Sequence, residues 1–340
     1  MKKLLIVLIL VLVAGALFAQ TYTFSTFQSV FQSFATGTAS ALPLESSVGL
    51  NWSDAYIGQL LSVPPHFGIG FTVGAATIPY SALQDAITTF APGGTLPSNL
   101  SILSKIGIPV PAYTVDVRIG GFILPFDVGF KFGYLPPNAF SAVSNVSVDY
   151  LMVGGDVRYA LMEDKGFLPG LSVGLGYTHM RGNVAIKGVL GSGAVNVTNV
   201  SFGGSTHTIG FTSPDLNVFW NTNVIDAKIQ ISKNLFIITP YAGLGLSYGI
   251  SNAGGGMQAQ MTVDGTAVTQ TQIDQINSAF GTNFTLQNPG FGVNASANGF
   301  ATRIFGGFSF NVLILKIGLG AEYEFLSGSF AGMANARIQL

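Results

Sequence analysis

The chain has 340 residues, of which 9% are charged and 44 are glycine, and it contains no cysteine. Charged residues make up about a quarter of an ordinary soluble domain, so the composition is atypical of one. Beyond the first 20 residues no apolar stretch reaches the length of a spanning helix, which excludes an inner-membrane helical bundle. A net charge of −1 predicts no nucleic-acid partner, and the absence of cysteine excludes a disulfide framework.

The first predicted element is a leader. Lys2 and Lys3 precede an apolar run from Leu4 to Leu12, and small residues follow, which is the pattern of a secretory signal peptide. We predict a signal peptide over 1–19 with cleavage after Ala19, and Ala14-Gly15-Ala16 offers an earlier site. The apolar run is shorter than the ~20 residues of a membrane anchor, which is the alternative interpretation.

Residues 20–65 form a segment ahead of the predicted barrel. Phe24, Phe27, Phe31 and Phe34 recur at spacings of three and four, which marks one face of a short helix. Two interpretations fit this amphipathic helix. It is either a plug inside the pore or at its periplasmic mouth, or a rim segment that packs on the barrel edge or lies in the membrane interface.

From residue 66 to the end the dominant signal is alternation with a period of two. In the strand from Ala112, the side chains of Thr114, Asp116 and Arg118 face one way and the apolar residues between them face the other. A strand with lipid on one side and water on the other needs this pattern. We therefore predict strands at 66–78, 112–124, 126–135, 146–162, 168–184, 216–232, 234–250, 300–312, 314–326 and 328–340.

These strands predict an all-β fold, a closed antiparallel transmembrane β-barrel of 10–14 strands over residues 66–340, with a short N-terminal helical plug or rim segment. Short and long connections take turns along the chain, as in outer-membrane barrels with short periplasmic turns and long external loops. The strand number stays open at ten, twelve or fourteen. Asp264-Gly265 is a strong hairpin turn signal inside one long connection, and residues 184–201 contain a second hairpin-like pair.

Charged residues at alternate strand positions are predicted to line the lumen. They carry both signs without a long single-sign row, which favours ion pairs across strands over a charge-selective ring. If Leu313-Ile314 forms a turn, antiparallel pairing places Arg303 opposite Glu324. The predicted lumen-lining residues are Asp116, Arg118, Asp127, Lys131, Asp156, Arg158, Asp226, Lys228, Arg303, Lys316, Glu322, Glu324 and Arg337.

Two connections carry more apolar surface than a solvated loop should show. The segments 80–90 and 100–108 are predicted to be helical external loops, and 272–280 is similar, with Ile273 and Ile276. Such loops form either a vestibule for a hydrophobic solute or a cap over the barrel. The predicted hydrophobic loop residues are Leu83, Ile87, Phe90, Ile102 and Ile106.

Catalytic patterns are scarce. His66, His179 and His207 fall outside any Ser or Cys nucleophile motif, and metal-ligand spacing is absent. We therefore predict no catalytic residue, no metal site and no cofactor, and a chain that is not an enzyme. Aromatic residues near the strand ends, Trp220 among them, are expected to form an outward interface belt.

The leader, the alternating strands and the final segment from Phe330 to Leu340 resemble those of bacterial outer-membrane β-barrel proteins. That resemblance implies export to the outer membrane, contact with membrane lipid and assembly by the outer-membrane insertion machinery. The Phe-rich N-terminal segment and oily loops are also similar in plan to long-chain fatty-acid transporters, which implies a hatch and hydrophobic uptake.

The function expected from these features is that of a porin-like passive channel or uptake protein for small solutes, with a hydrophobic small molecule as the candidate cargo. The alternative is a sealed structural barrel whose external loops act as an adhesin or surface antigen.

Overall fold

The computed structural model describes residues 24–80, Gln84, Lys105, 107–136, 146–186, 194–280 and 290–340. Within them the chain forms twelve strands and two helices of useful length. The helices are α1 (Phe24–Glu45) and α2 (Gln270–Phe280). The strands are β1 (Phe67–Ile78), β2 (Ile108–Gly120), β3 (Phe126–Leu135), β4 (Val146–Met162), β5 (Gly170–Ile186), β6 (Ala194–Phe202), β7 (Ser205–Ser232), β8 (Ile238–Val263), β9 (Thr266–Ala267), β10 (Gly290–Val312), β11 (Leu315–Glu324) and β12 (Phe330–Gln339).

Ten of the described strands close into one antiparallel barrel. Around the wall the order is β1, β2, β3, β4, β5, β7, β8, β10, β11 and β12, and β12 pairs back onto β1. The prediction of a closed antiparallel barrel is confirmed. All ten predicted strands lie in the wall. The barrel therefore has ten strands, which is within the predicted range of 10–14.

Only one of the two predicted hairpins forms as predicted: β9 pairs with the end of β8 across the Asp264-Gly265 turn. The hairpin predicted within 184–201 is wrong, because residues 184–186 belong to β5 and β6 pairs with β7 instead. Neither β6 nor β9 belongs to the ring. β7, β8 and β10 have 28, 26 and 23 residues, whereas a barrel strand needs only about 9–11 to cross a bilayer. The surplus forms an extension beyond the barrel at the end where the long connections lie, which we call the loop end.

The wall has one apolar face and one polar face. Along β3 the odd and even positions alternate between exposed and buried, so Val128, Phe130 and Phe132 are exposed while Asp127 and Lys131 are buried. The exposed side chains around the ring are mostly large and apolar, as a lipid-facing surface requires. Trp220 is an exception to the predicted outward belt, because its side chain is 9% exposed and packs inside the barrel.

The turn between β10 and β11 has no Gly, Asn or Asp, yet it is the two-residue turn Leu313-Ile314. Leu313 adopts a φ of 55°, in the left-handed region that leucine rarely occupies. The register that follows pairs Arg303 with Glu324, as predicted. At the opposite end of the same hairpin pair, Glu324 accepts hydrogen bonds from the backbone of Leu326 and Ser327 and so fixes the β11–β12 turn.

The β2–β3 ladder is the shortest in the wall. Val115–Gly120 pairs with Asp127–Phe132, and among the described residues the ladder ends at that point although β3 continues to Leu135 and β2 begins at Ile108. The Tyr113 carbonyl is directed at Gly133, where an added Cβ would lie 2.2 Å from the oxygen. Backbone groups alternate in direction along a strand. The backbones of Pro109 and Pro111 therefore also face β3.

α1 lies in the loop-end half of the barrel. It contacts the inner sides of β8 and β10 most extensively, and β1 and β7 less. α2 packs on the extension, where Ile273 and Ile276 are fully buried, so the helix predicted near 272–280 is present and its apolar face is covered. Neither described helix has both the length and the hydropathy that crossing a membrane requires.

Candidate functional site

The segment that follows α1 passes through the lumen, and we call residues 45–57 the lumen segment. At the loop end, the Glu45 carboxylate accepts a hydrogen bond of 2.7 Å from the backbone of Ala76, near the last residues of β1. At the other end, where the turns are short, the Ile57 amide donates to Asp127 at 3.2 Å. Between these points Trp52 is 1% exposed. The lumen of the barrel is therefore filled by its own N-terminal region.

The thirteen charged residues predicted to line the lumen all belong to the wall strands. Eleven of them are buried, and Asp226 and Lys316 are partly buried. Removing so many charges from water is costly unless each finds a partner of opposite charge or a set of hydrogen bonds. The contacts of these side chains show how each charge is compensated.

The first network lies on β2, β3 and β4. Arg118 contacts Asp127 and also Asp156, the latter at 2.7 Å, while Arg158 donates to both oxygens of Asp127. Lys228, on β7, contacts Asp156 at 2.9 Å. Two carboxylates thus bind three cations, and the remaining donors of those cations reach the lumen segment.

Lys228 donates to the side-chain oxygen of Asn51, and the two arginines donate to backbone carbonyl groups of the lumen segment. Arg118 donates to the Leu50 carbonyl at 3.0 Å and Arg158 donates to the Asp54 carbonyl at 2.6 Å. On β3, Lys131 has no carboxylate within salt-bridge distance among the described residues, and donates instead to the carbonyls of Ser46 and Val48. Side chains of the wall therefore hold the backbone of the lumen segment in place through its carbonyl groups.

A second network centres on Arg303. Its guanidinium contacts Asp226 at 2.7 Å and Glu322 at 3.0 Å. Glu324, directly opposite in register, is not its ionic partner, because that carboxylate is bound to the turn that follows β11. Glu322 also accepts a hydrogen bond from Asn51 of the lumen segment.

Asp54 is the most important residue that the sequence prediction missed. Its carboxylate contacts Lys316 at 2.8 Å and Arg337 at 2.7 Å. Burial alone would raise the pKa of this carboxyl, but the two cations outweigh burial and hold its pKa well below the usual range. The available signal was that residues 20–65 contain only two acidic residues, Glu45 and Asp54, and no lysine or arginine.

Trp52 completes the attachment near Asp54. The guanidinium carbons of Arg118 and Arg337 lie 5.7 and 5.0 Å from its ring centroid, within the range of cation–π attraction. The ring is thereby held over β1, between the two strands that flank it, β2 and β12. The lumen segment is bound by charge, by its carbonyl groups and by one aromatic anchor.

Asp116 stands apart from the ionic networks. It forms no salt bridge within the described part of the chain, and its carboxylate accepts hydrogen bonds from Thr72 and Thr114. It is 0% exposed. Hydroxyl groups on β1 and β2 therefore stabilise the Asp116 carboxylate in place of a cation.

The loop-end half of the lumen has a different character, because its inner surface is apolar. α1 contributes Ala39 and Leu42 to a buried cluster with side chains from β2, β4, β5, β7 and β8. We call this set the apolar cluster. Its members are Ala39, Leu42, Val48, Ala112, Tyr150, Met152, Met180, Trp220 and Ala253.

A cavity of about 630 Å³ lies beside α1 at the loop end. Its lining includes Ala39 and Pro43 from α1, and Gly249 and Ala297 from the wall. Ala39 belongs to the apolar cluster, and Ala297 packs against it. The cavity and the apolar cluster therefore meet at Ala39 and Ala297.

Of the predicted plug phenylalanines, Phe34 is buried, at 6% exposed. The side chains of Phe24, Phe27 and Phe31 lie outside the described residues, although the helical backbone that carries them is described. The predicted hydrophobic loop residues Leu83, Ile87, Phe90, Ile102 and Ile106 lie outside the described residues as well.

Comparison with solved structures finds outer-membrane barrels. The outer-membrane protease OmpT of Escherichia coli is 8% identical with a TM-score of 0.36, covering 82% of this chain and 96% of that one. The transport unit of the autotransporter AIDA-I of E. coli is 13% identical with a TM-score of 0.26, covering 88% and 97%. The toluene transporter TodX of Pseudomonas putida is 8% identical with a TM-score of 0.24, covering 81% and 88%. No family model and no curated protein matches the chain.

These identities and TM-scores are low, so the likenesses assign neither an activity nor a ligand to this chain. They do correct one prediction. The absence of catalytic motifs led to the prediction that the chain is not an enzyme. That prediction is wrong, because the similar outer-membrane barrels include a protease. The likeness to long-chain fatty-acid transporters stays a prediction.

Proposed function

We propose that the chain is an outer-membrane uptake protein for small hydrophobic solutes, exported by the signal peptide over 1–19 and closed by residues 20–65 acting as a plug. The observation that supports the proposal is the lumen segment, which fills the interior of a closed barrel without forming part of its wall. A permanently sealed barrel of this size could fill its interior with wall side chains alone. A separate segment that is held by side chains can also be released.

The layers of the lumen support a hydrophobic cargo. A solute arriving at the loop end meets the 630 Å³ cavity, whose lining combines apolar residues such as Ala39, Pro43 and Ala297 with polar ones that include Thr36, Asn298 and Glu324. The next layer is the apolar cluster, which offers Met152 and Met180, two flexible side chains that adapt to ligand shape. The charged layer, with the thirteen lumen-lining residues, is the last barrier, and displacement of the lumen segment would open it.

The decisive experiment pins the plug to the wall. Ser53 in the lumen segment and Ser309 on β10 have hydroxyl oxygens 2.7 Å apart, so the Ser53→Cys, Ser309→Cys double variant can form a disulfide in a chain that otherwise lacks cysteine. We expect cells with the native chain in their outer membrane to take up the apolar dye N-phenyl-1-naphthylamine several-fold faster than cells without it. The oxidised variant should lose this uptake, and a reductant should restore it.

A matched control disulfide lies entirely within the wall. Thr222 on β7 and Ser251 on β8 also have hydroxyl oxygens 2.7 Å apart, and neither touches the lumen segment among the described contacts. The oxidised Thr222→Cys, Ser251→Cys variant should keep the native uptake rate. Dye uptake that is absent from the native chain, or that survives in the pinned variant, would count against a plugged uptake protein.

The extension favours a second candidate function, a sealed barrel that presents a surface for a partner. Beyond the membrane, β6, β7 and β8 carry a small core of their own, with Phe202, Ile209, Met261 and Val263 buried beside Ile273 and Ile276 of α2. A loop region without function has little need of such a core. This candidate predicts that replacing 266–280 by a short glycine-serine linker abolishes adhesion of cells that display the chain to a host-protein-coated surface, whereas pinning the lumen segment has no effect.

A further inference from the structure

Three polar atoms beside the apolar cluster have no hydrogen-bond partner within the described part of the chain. They are the Oε1 atom of Glu45, the hydroxyl of Tyr150 and the Nε1 atom of Trp220. The three residues are only 3%, 6% and 9% exposed. A buried polar atom left unpaired is costly, and most such atoms in proteins are satisfied. Three in one layer point to a ligand that would satisfy them.

All three groups can donate a hydrogen bond. The indole N–H of Trp220 is only a donor, and the phenol of Tyr150 donates readily. Burial raises the pKa of Glu45 well above its ordinary value, and the Ala76 amide and Lys131 offset this only in part, which favours the protonated carboxyl that is able to donate. Three donors in one apolar layer match a ligand group that accepts hydrogen bonds and has none to donate.

The surroundings of these donors define the rest of the ligand. Tyr150 and Trp220 are members of the apolar cluster, where the other side chains offer only methyl, methylene and thioether groups. Gly182 leaves the space that the Trp220 ring occupies, because a Cβ there would lie 2.3 Å from the ring. The ligand body must therefore be apolar.

The cavity at the loop end supplies the approach. It shares Ala39 with the apolar cluster, so the cavity and the cluster contact the same residue of α1. Ala39 and Leu42 are held there by packing, and the end of α1 is attached to β1 by the hydrogen bond from the Ala76 amide to Glu45. A shift of α1 toward the cavity would uncover the donors.

We propose that the apolar cluster is a binding site for small amphiphiles that combine an apolar body with one hydrogen-bond-accepting oxygen, such as an ether or a ketone. The oxygen takes the donors of Tyr150 and Trp220, and the body replaces Ala39 and Leu42 of α1. This inference rests on the proposed uptake function and adds the chemical class of the cargo.

The test compares two probes of the same shape. Tetrahydropyran and cyclohexane differ in one ring position, which is an ether oxygen in the first and a methylene in the second. The full chain in lipid vesicles is titrated with each probe while tryptophan emission is followed, and the Trp220→Phe variant identifies the part of the signal that belongs to Trp220. We expect tetrahydropyran to bind about tenfold more tightly once each probe's partitioning into protein-free vesicles is subtracted, as one buried hydrogen bond would give.

The Tyr150→Phe variant removes one donor and keeps the ring. We expect it to weaken tetrahydropyran binding several-fold and to leave cyclohexane binding unchanged, whereas a purely structural role for Tyr150 would change both alike. Equal affinity of the native chain for the two probes, equal loss in the variant, or binding of neither would overturn the inference. Uptake of the apolar dye by cells that carry the native chain is measured separately, so hydrophobic uptake can survive the loss of this inference.

Discussion

The two halves of the lumen hold the N-terminal region in different ways. In the half near the short turns, wall cations bind Asp54 and the carbonyls of the lumen segment, with Trp52 between Arg118 and Arg337. In the loop-end half, α1 is held by the apolar cluster through Ala39 and Leu42. Ion pairs and backbone hydrogen bonds demand one geometry, whereas apolar contacts are non-directional. The charged half therefore fixes the position of the segment, and the apolar half is where movement and binding are easiest.

Removing Arg118 should have the largest effect on this comparison. Arg118→Ala leaves Asp127 and Asp156 buried with one cation fewer, and breaking a buried ionic network of this kind costs roughly 3–5 kcal/mol of unfolding free energy. Denaturant unfolding in lipid vesicles measures this loss. Lys165→Ala is the matched control, because its ammonium is 78% exposed and its removal should change stability by less than about 0.5 kcal/mol.

Truncation in the apolar half should cost less. Leu42→Ala removes a side chain that is 3% exposed, and large-to-small changes in a core cost about 2–3 kcal/mol when the site partly relaxes. The loss should be independent of ionic strength, because no charge is involved. If Leu42→Ala destabilised the barrel more than Arg118→Ala in the same vesicles, the ranking of the two halves would be reversed.

Asp54→Asn tests the attachment of the lumen segment itself. Asparagine keeps the shape of the side chain but removes the charge that Lys316 and Arg337 share, at a cost of about 2 kcal/mol for charged hydrogen bonds. Lys316 and Arg337 lose their carboxylate partner, but the strand pairing of the wall is unchanged, so we expect the variant to stay folded while its planar-bilayer recordings show brief ion-conducting events. Recordings as quiet as those of the native chain would mean that Asp54 does not hold the segment.

Glu45 lies where the two halves meet, and its effect should be the smallest and depend on pH. Its pKa is raised by burial above the ordinary 4.5, so the folded chain holds the proton more tightly than the unfolded chain. Its contribution to stability is complete below pH 4.5 and is lost as the pH rises through the raised value. The charged and titratable groups nearby are Lys131, Asp116 and Tyr150.

Glu45→Gln supplies the comparison for that pH dependence, because glutamine remains neutral at every pH. As the pH rises above the ordinary value of 4.5, the stability of the native chain should fall more than that of the variant, as followed by denaturant unfolding. Parallel curves of stability against pH for the two chains would mean that groups other than Glu45 cause the pH dependence.

The wall was predictable from sequence because lipid and a polar interior impose a period of two on every strand. The prediction of 146–162 and 126–135 matches β4 and β3 to the residue. The errors lie where the membrane no longer imposes the pattern. β7 begins at Ser205 instead of 216, and β8 continues to Val263 instead of 250. β2 was placed four residues late, because the apolar run Phe122–Leu124 continues into the short turn.

The interior was only partly predictable. Alternation identifies which charged residues point inward, but it does not pair them, since partners such as Asp54 and Lys316 are separated by 262 positions. Arg303 shows the limit clearly. Its register opposite Glu324 followed from the turn, yet its ionic partners are Asp226 and Glu322, because side-chain reach and competing turn amides decide the pairing.

The short β2–β3 ladder affects how this part of the wall can pair with a strand from another molecule. An unpaired strand edge is a template onto which a strand from another molecule can add. Pro109 and Pro111 lack the N–H groups that such a strand would need, and they stand at the positions whose backbone faces β3. A strand added beside this part of β2 would therefore find no N–H group to bond at either position, which makes the short ladder a poor template for another molecule.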